Sequence, residues 1–194
     1  MLLASHIRGN LEKDPSVVYF LDRRLRITHC NPAWDRFATE NGGEDLTRQA
    51  VIGTSVLEVI PAPLRPFYID GYDQVFSSLV PWEHTYECSS PAIYRSFRMS
   101  VYLDPEEDGL VVVNSLTVEQ PHGDDREPHT FSHAYASAND GIVTMCSHCR
   151  RTQRIDSREV WDWVPSFVEK RPQQTSHGLC PICTTMYYPE LFRQ

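Results

Sequence analysis

Residues 16–38 read SVVYFLDRRLRITHCNPAWDRFA, and two kinds of periodicity meet within them. Ser16 to Leu21 is a run of β-branched and aromatic residues that predicts a buried strand. Asp22-Arg23-Arg24 is a polar turn, and Leu25 to His29 alternates apolar with polar residues as a half-exposed strand does. The two form a tight hairpin. At Cys30-Asn31-Pro32 the pattern changes to that of a helix start. Asn31 is suited to accept a hydrogen bond from the first free N–H groups, and Pro32 to fill the first helical position. Trp34, Phe37 and Ala38 then share one helical face, which predicts docking on the sheet, and Asn41-Gly42-Gly43 ends the helix.

Upstream, Ser5 to Lys13 is a short amphipathic helix weakened by Gly9. Downstream, VIGTSVLEVIP (51–61) is an irregular segment with Gly53 as breaker and Thr54 as cap, followed by prolines up to Pro66. Phe67, Ile69, Tyr72, Val75, Phe76 and Leu79 then form a helical stripe. Three strands follow. Trp82, His84, Tyr86 and Cys88 alternate with polar residues, as do Phe97, Met99, Val101 and Leu103, and Leu110 to Val118 is largely apolar. Residues 119–140 are polar and Pro-containing, the composition of a linker.

The last third holds two identical cysteine pairs, Cys146-Ser-His-Cys149 and Cys180-Pro-Ile-Cys183. A CxxC turn lets two thiolates converge on one point, and two such turns supply the four soft ligands of a tetrahedral Zn²⁺. Such a site is coordinatively closed and structural, and it folds a segment too small to build its own core. His148 and His177 lie beside the ligands. Either is a candidate to replace one cysteine or to support the site from outside. A short strand is expected at Gly141–Met145, a helix after Pro165, and another over Thr184–Phe192. Cys30 and Cys88 are left over and read as small buried hydrophobes.

Of 194 residues, 41% are hydrophobic and 23% charged, enough for a packed core. The net charge of −8 is uneven. Residues 1–140 carry 11 Lys/Arg against 21 Asp/Glu, and residues 141–194 carry 7 against 5. The acidic body argues against nucleic acid as a partner. No apolar run has the length of a signal peptide or a membrane span, and the metal-type cysteine spacing fits a reducing cytoplasm. No P-loop, nucleophile elbow, HExxH or paired-carboxylate motif occurs, so the expectation is a protein that is not an enzyme.

Residues 16–119 resemble a PAS domain of bacterial signalling proteins. The resemblance is carried by the first hairpin, the NPAWDRFA helix, the VIGTSVLEVIP segment, the connecting helix and the three closing strands. It implies an α+β fold, a five-stranded antiparallel sheet of order 2-1-5-4-3 with flanking helices that enclose a pocket. The tail, CSHCRRTQ…WVPSFVEKR…SHGLCPICTTMYYPEL, resembles the cysteine-rich segment behind PAS or receiver domains in some bacterial sensory proteins. The organisation expected is therefore an N-terminal extension (1–15), a PAS domain (16–119), a linker (120–140) and a zinc-ribbon or knuckle-like module (141–194).

Asn114 stands in an apolar row on the last strand and needs hydrogen-bond partners, from a ligand or from neighbouring groups. With Trp34, Tyr86 and His84 it makes up the candidate ligand pocket. His84 is a haem-ligand candidate or a satisfied sheet residue. The flavin-binding subclass carries a cysteine in an NCRFLQ-like helix, which nothing here matches, so no PAS cofactor is assigned. Three functions compete: a signalling adaptor acting through a protein partner or self-association, a thiol-based redox or metal sensor, and a zinc-containing regulator contacting nucleic acid through Arg150, Arg151, Arg154 and Arg158.

Overall fold

The computed structural model describes residues 5–90, 92–104, 106–122, 126–136 and 141–189, with backbone alone for residues 5–7 and 63. The chain divides into two compact units, Met1–Thr85 with Phe97–Leu116, and Tyr86–Ser96 with Thr117–Gln194.

Helix α1 (Ser5–Leu11) precedes strands β1 (Val17–Leu21) and β2 (Ile27–Cys30), the expected hairpin. Helices α2 (Pro32–Glu40), α3 (Arg48–Val51) and α4 (Arg65–Ser78) follow, then β3 (Trp82–Glu87), β4 (Ile93–Asp104) and β5 (Gly109–Pro121). The sheet order is β2-β1-β5-β4-β3, the order that the PAS resemblance implies. β1 lies antiparallel between β2 and β5, in register from Val17 opposite Asn114 to Leu21 opposite Leu110. An interior strand, it is buried from Val18 to Leu21, which is why it reads as an unbroken apolar run. At its end the backbones close up: a Cβ on Gly109 would lie 2.2 Å from the Leu21 carbonyl oxygen. Only glycine fits there.

α2 docks as predicted. Trp34 meets Tyr19 edge-on at 5.7 Å between ring centroids, and Phe37 meets Phe97 at 5.6 Å. Asn31 occupies the N-cap position, but its side chain makes no cap hydrogen bond. Its Oδ1 accepts instead from the Val18 N–H at 3.1 Å. In α4 the buried residues are Tyr68, Gly71, Tyr72 and Val75: Tyr72 and Val75 belong to the expected stripe, while Tyr68 and Gly71 complete it in place of Phe67, Ile69 and Phe76. The reason is Trp82, whose ring lies 2.5 Å from where a Gly71 Cβ would stand and so selects that face. Leu79 leaves the stripe altogether, closing the helix at φ 59° while half-exposed.

In the second unit β6 (Val143–Cys146), β7 (Thr152–Gln153), β8 (Trp161–Asp162) and β9 (Thr175–Gly178) form a sheet of order β8-β7-β6-β9, with α5 (Pro165–Glu169) and α6 (Pro181–Tyr187). Tyr135, Val143, Met145, Val164 and Phe167 make its core. β6 and α5 lie where the sequence places them; α6 starts at Pro181, ahead of the expected Thr184, and residues 190–194 lie outside the described residues. Part of the expected linker is built into this unit. β5 runs on to Pro121, the His129 N–H donates to the Trp163 carbonyl at 2.8 Å, and Tyr135 is buried. A polar composition hid those anchors, because one aromatic residue and backbone pairing suffice to hold them. Among the described residues no helix is long and apolar enough to cross a membrane.

Candidate metal centre

Parallel pairing of β6 with β9 sets Cys146 opposite Gly178, two residues before Cys180. This brings the two CxxC turns, thirty residues apart in sequence, to one place. The Sγ atoms of Cys146, Cys149, Cys180 and Cys183 all lie within 4.8 Å of one another, and each cysteine is at most 2% exposed. Sulfurs placed about 2.3 Å from one tetrahedral ion stand about 3.8 Å apart, and Cys149 and Cys180 are 3.6 Å apart. A disulfide would need about 2.05 Å. The donor set therefore fits one soft, four-coordinate metal ion.

Local backbone geometry prepares the sulfurs. Residues 146–150 make a knuckle in which the Cys146 N–H donates to the Arg151 carbonyl at 2.8 Å and the Arg150 N–H to the Cys146 carbonyl at 3.2 Å. Arg150 closes the turn at φ 64°. The second turn opens α6, where the Cys180 N–H donates to the Cys146 sulfur and the Cys183 N–H to the Cys180 sulfur, each at 3.4 Å. N–H groups aimed at sulfur stabilise thiolate. The Cys146 thiol is pushed down chiefly by its hydrogen bond with Cys149, and Cys180 chiefly by that with Cys146. Cys183 is pushed up by its hydrogen bonds to the other three. Burial works against the Arg151 charge, but the Cys149 thiolate, followed by Cys180 and Cys183, outweighs it and raises the Arg151 pKa. A guanidinium is thus held beside a cluster that would carry net negative charge around a divalent ion.

Neither histidine joins the sulfur cluster. His148 is buried, with Nδ1 2.7 Å from the Glu87 carbonyl oxygen and Nε2 2.7 Å from the Tyr188 hydroxyl. Both ring nitrogens are engaged, so His148 supports the knuckle from outside rather than replacing a cysteine. His177 pairs with Met145 on β9 and is exposed; burial of part of its ring, then Arg150 and Arg171, push its pKa down.

Sequence reasoning missed Glu87 and Arg126. Alternation along β3 points Glu87 to solvent, yet it is 5% exposed. Its carboxylate accepts from Ser89 Oγ at 2.6 Å and from Arg126 Nη2 at 3.1 Å. Arg126 also donates to the Cys149 carbonyl at 3.1 Å and lies over the Trp163 ring. No local signal marks the pair, because Glu87 and Arg126 are 39 positions apart in sequence.

Of the candidate pocket residues, Trp34 and Asn114 both lie beside Tyr19, and Tyr86 alone falls in the other unit. Burial pushes the Tyr19 pKa up while the polar side chains of Tyr72 and Asn114 act the other way, so Asn114 has a polar neighbour within the chain. Trp34 packs on Tyr19 and donates from Nε1 to the Leu46 carbonyl at 2.8 Å. His84 is buried among Phe67, Tyr68 and Trp82, stacked on Trp82 at 6.2 Å. Tyr86 belongs to the second unit, beside His148. Cys30 is buried, and desolvation pushes its thiol up to about 12, the behaviour of an inert core thiol.

No family model and no curated protein matches this chain. Among solved structures it is similar to the PAS domain of Bordetella pertussis BvgS, at 20% identity and TM-score 0.44, over 59% of this chain and 86% of that one. It is also similar to the photoactive yellow protein domain of the sensor histidine kinase Ppr from Rhodospirillum centenum (15%, 0.41, 58% and 99%). A third is the PAS domain of an HTR-like protein from Haloarcula marismortui (18%, 0.38, 58% and 90%). At these identities and scores the fold assignment rests on the sheet order, and function has to be argued from the residues.

Proposed function

We propose that this chain is a non-enzymatic bacterial signalling protein of PAS type, in which a structural Zn²⁺ at Cys146, Cys149, Cys180 and Cys183 holds a C-terminal module together. The reading carries with it a cytoplasmic setting and action through a protein partner or through self-association. The observation that carries it is the convergence of four buried sulfurs at tetrahedral spacing. A closed four-sulfur site has no open coordination position for substrate, in keeping with a structural role. Burial of the sulfurs favours this over the redox reading, since oxidants act on accessible thiolates. The nucleic-acid reading loses two of its four arginines to internal partners, Arg151 to the thiolates and Arg154 to Asp162.

Elemental analysis tests the proposal, with thiols counted before and after a chelator. The expected result is one zinc per chain and four thiols that react only after metal removal. Protein isolated without metal and with these cysteines oxidised would sink the zinc reading.

A further inference from the structure

The geometry points to residues Tyr86–Ser96 as the output of the metal centre: metal binding at the four cysteines and ordering of this hairpin end are coupled through His148, Cys149 and Arg126. The inference rests on the metal site proposed above and adds what that site controls. All the residues involved lie in the second unit.

Two bridges run from the first knuckle to Glu87. The first is His148. A carbonyl oxygen only accepts, so the short contact to Glu87 places a proton on Nδ1, and Nε2 is left to accept from the Tyr188 hydroxyl. The ring is stacked on Tyr188 at 5.5 Å, with Tyr86 on the hairpin end 6.1 Å away. The second bridge is Arg126, which spans the Cys149 carbonyl and the Glu87 carboxylate with two arms of one planar group. A third connection leaves the second knuckle. α6 is capped by Cys180 and ends on Tyr187, whose hydroxyl lies 3.5 Å from Glu87 Oε2 and 3.5 Å from the Tyr94 hydroxyl.

The ion is what fixes both turns, including the left-handed Arg150. When the turns relax, the Cys149 carbonyl and His148 leave their positions, and Glu87 and Arg126 lose partners in a place where neither is more than a tenth exposed. A buried charge pair tolerates that poorly, so the hairpin end opens with the metal. Linkage is reciprocal. Any partner that draws residues 86–96 out of this arrangement weakens metal binding by the same factor by which metal loss favours that partner.

Hydrogen exchange of the full chain, zinc-loaded and chelated, tests this, with zinc affinity read by competition against a chromophoric chelator. Metal removal is expected to speed exchange at residues 86–96 on the order of tenfold or more, together with the knuckles. His148→Phe keeps the ring but removes both hydrogen bonds, and it should weaken zinc binding by about 10–100-fold and shrink the metal response at 86–96. Tyr188→Phe, which removes only one hydroxyl, gives the same direction with less risk to folding. Zinc binding that protects the knuckles while 86–96 exchanges alike in both states would overturn the inference and leave the metal site standing. Failure to bind zinc at all would overturn both.

Discussion

Asn31 is 1% exposed, and every polar atom of its side chain is used. Oδ1 accepts from Val18, while Nδ2 lies within 3.2 Å of the carbonyls of Leu11, Asp14 and Ser16. One amide therefore ties the chain entering β1 to the start of α2. An acid of the same shape would present negative oxygen to three carbonyls, so asparagine is selected over aspartate. Asn31→Ala leaves a buried N–H and several carbonyls without partners and should cost roughly 3 kcal/mol in urea denaturation. A loss below about 1 kcal/mol would mean that water replaces the side chain at no great cost. The sequence correctly marks position 31 as a helix start, because proline at the next position is a local signal. It cannot show that the side chain faces backwards, since that depends on where Leu11 and Val18 lie in space. Glu87 is a harder case: its local pattern points the opposite way from its observed burial.

At the scale of elements, β7 and β8 are two residues each, too short to be held by their ladder. Asp162 on β8 supplies what the ladder lacks. Its carboxylate accepts from the Tyr135 hydroxyl at 2.7 Å and pairs with Arg154, while His129 lies 3.6 Å away. Burial alone would raise its pKa, but the hydrogen bonds from Arg154 and Tyr135, then the nearby positive charges, outweigh it and hold it below the usual carboxylate range. A depressed folded-state pKa gives stability that is fully present above the unfolded value of about 3.9 and is lost as pH falls through the folded value. Asp162→Asn should thus weaken the second unit at pH 7 by roughly 2 kcal/mol, and the gap from wild type should shrink below about pH 4. Acid also protonates metal-bound thiolates, but it does so in both proteins, so the difference between their urea midpoints isolates Asp162. A gap that stays constant from pH 7 to pH 3 would show that shape rather than charge matters there.

For the whole molecule, the elements legible in the sequence are those set by local period: the first hairpin, α2, the three closing strands and the paired CxxC turns. The division of the chain is less legible, because strands β3 to β5 give their ends to the second unit and Tyr135 anchors part of a polar stretch. The two units have separate cores. Val18, Phe20 and Val111 pack in the first, with Leu11 and Val113 against them. Among the described residues the second packs Tyr135, Val143, Met145, Val164 and Phe167 against a sheet of two- and four-residue strands, a small scaffold to hold without a metal. The ion makes up the shortfall: structural zinc contributes about 10–16 kcal/mol in small zinc-dependent folds at neutral pH. Removing it should therefore unfold the second unit and leave the first. Limited trypsin digestion reads this directly, since Arg150, Arg151, Arg154 and Arg158 crowd one unit and Arg23, Arg24, Arg26 and Arg36 the other. With zinc bound, both sets should resist. With chelator, cleavage should appear first at residues 150–158, while Arg23 to Arg26 stay protected in a persistent N-terminal fragment. Cleavage of both sets at one rate would show that the two cores melt together and that the metal supports the entire chain.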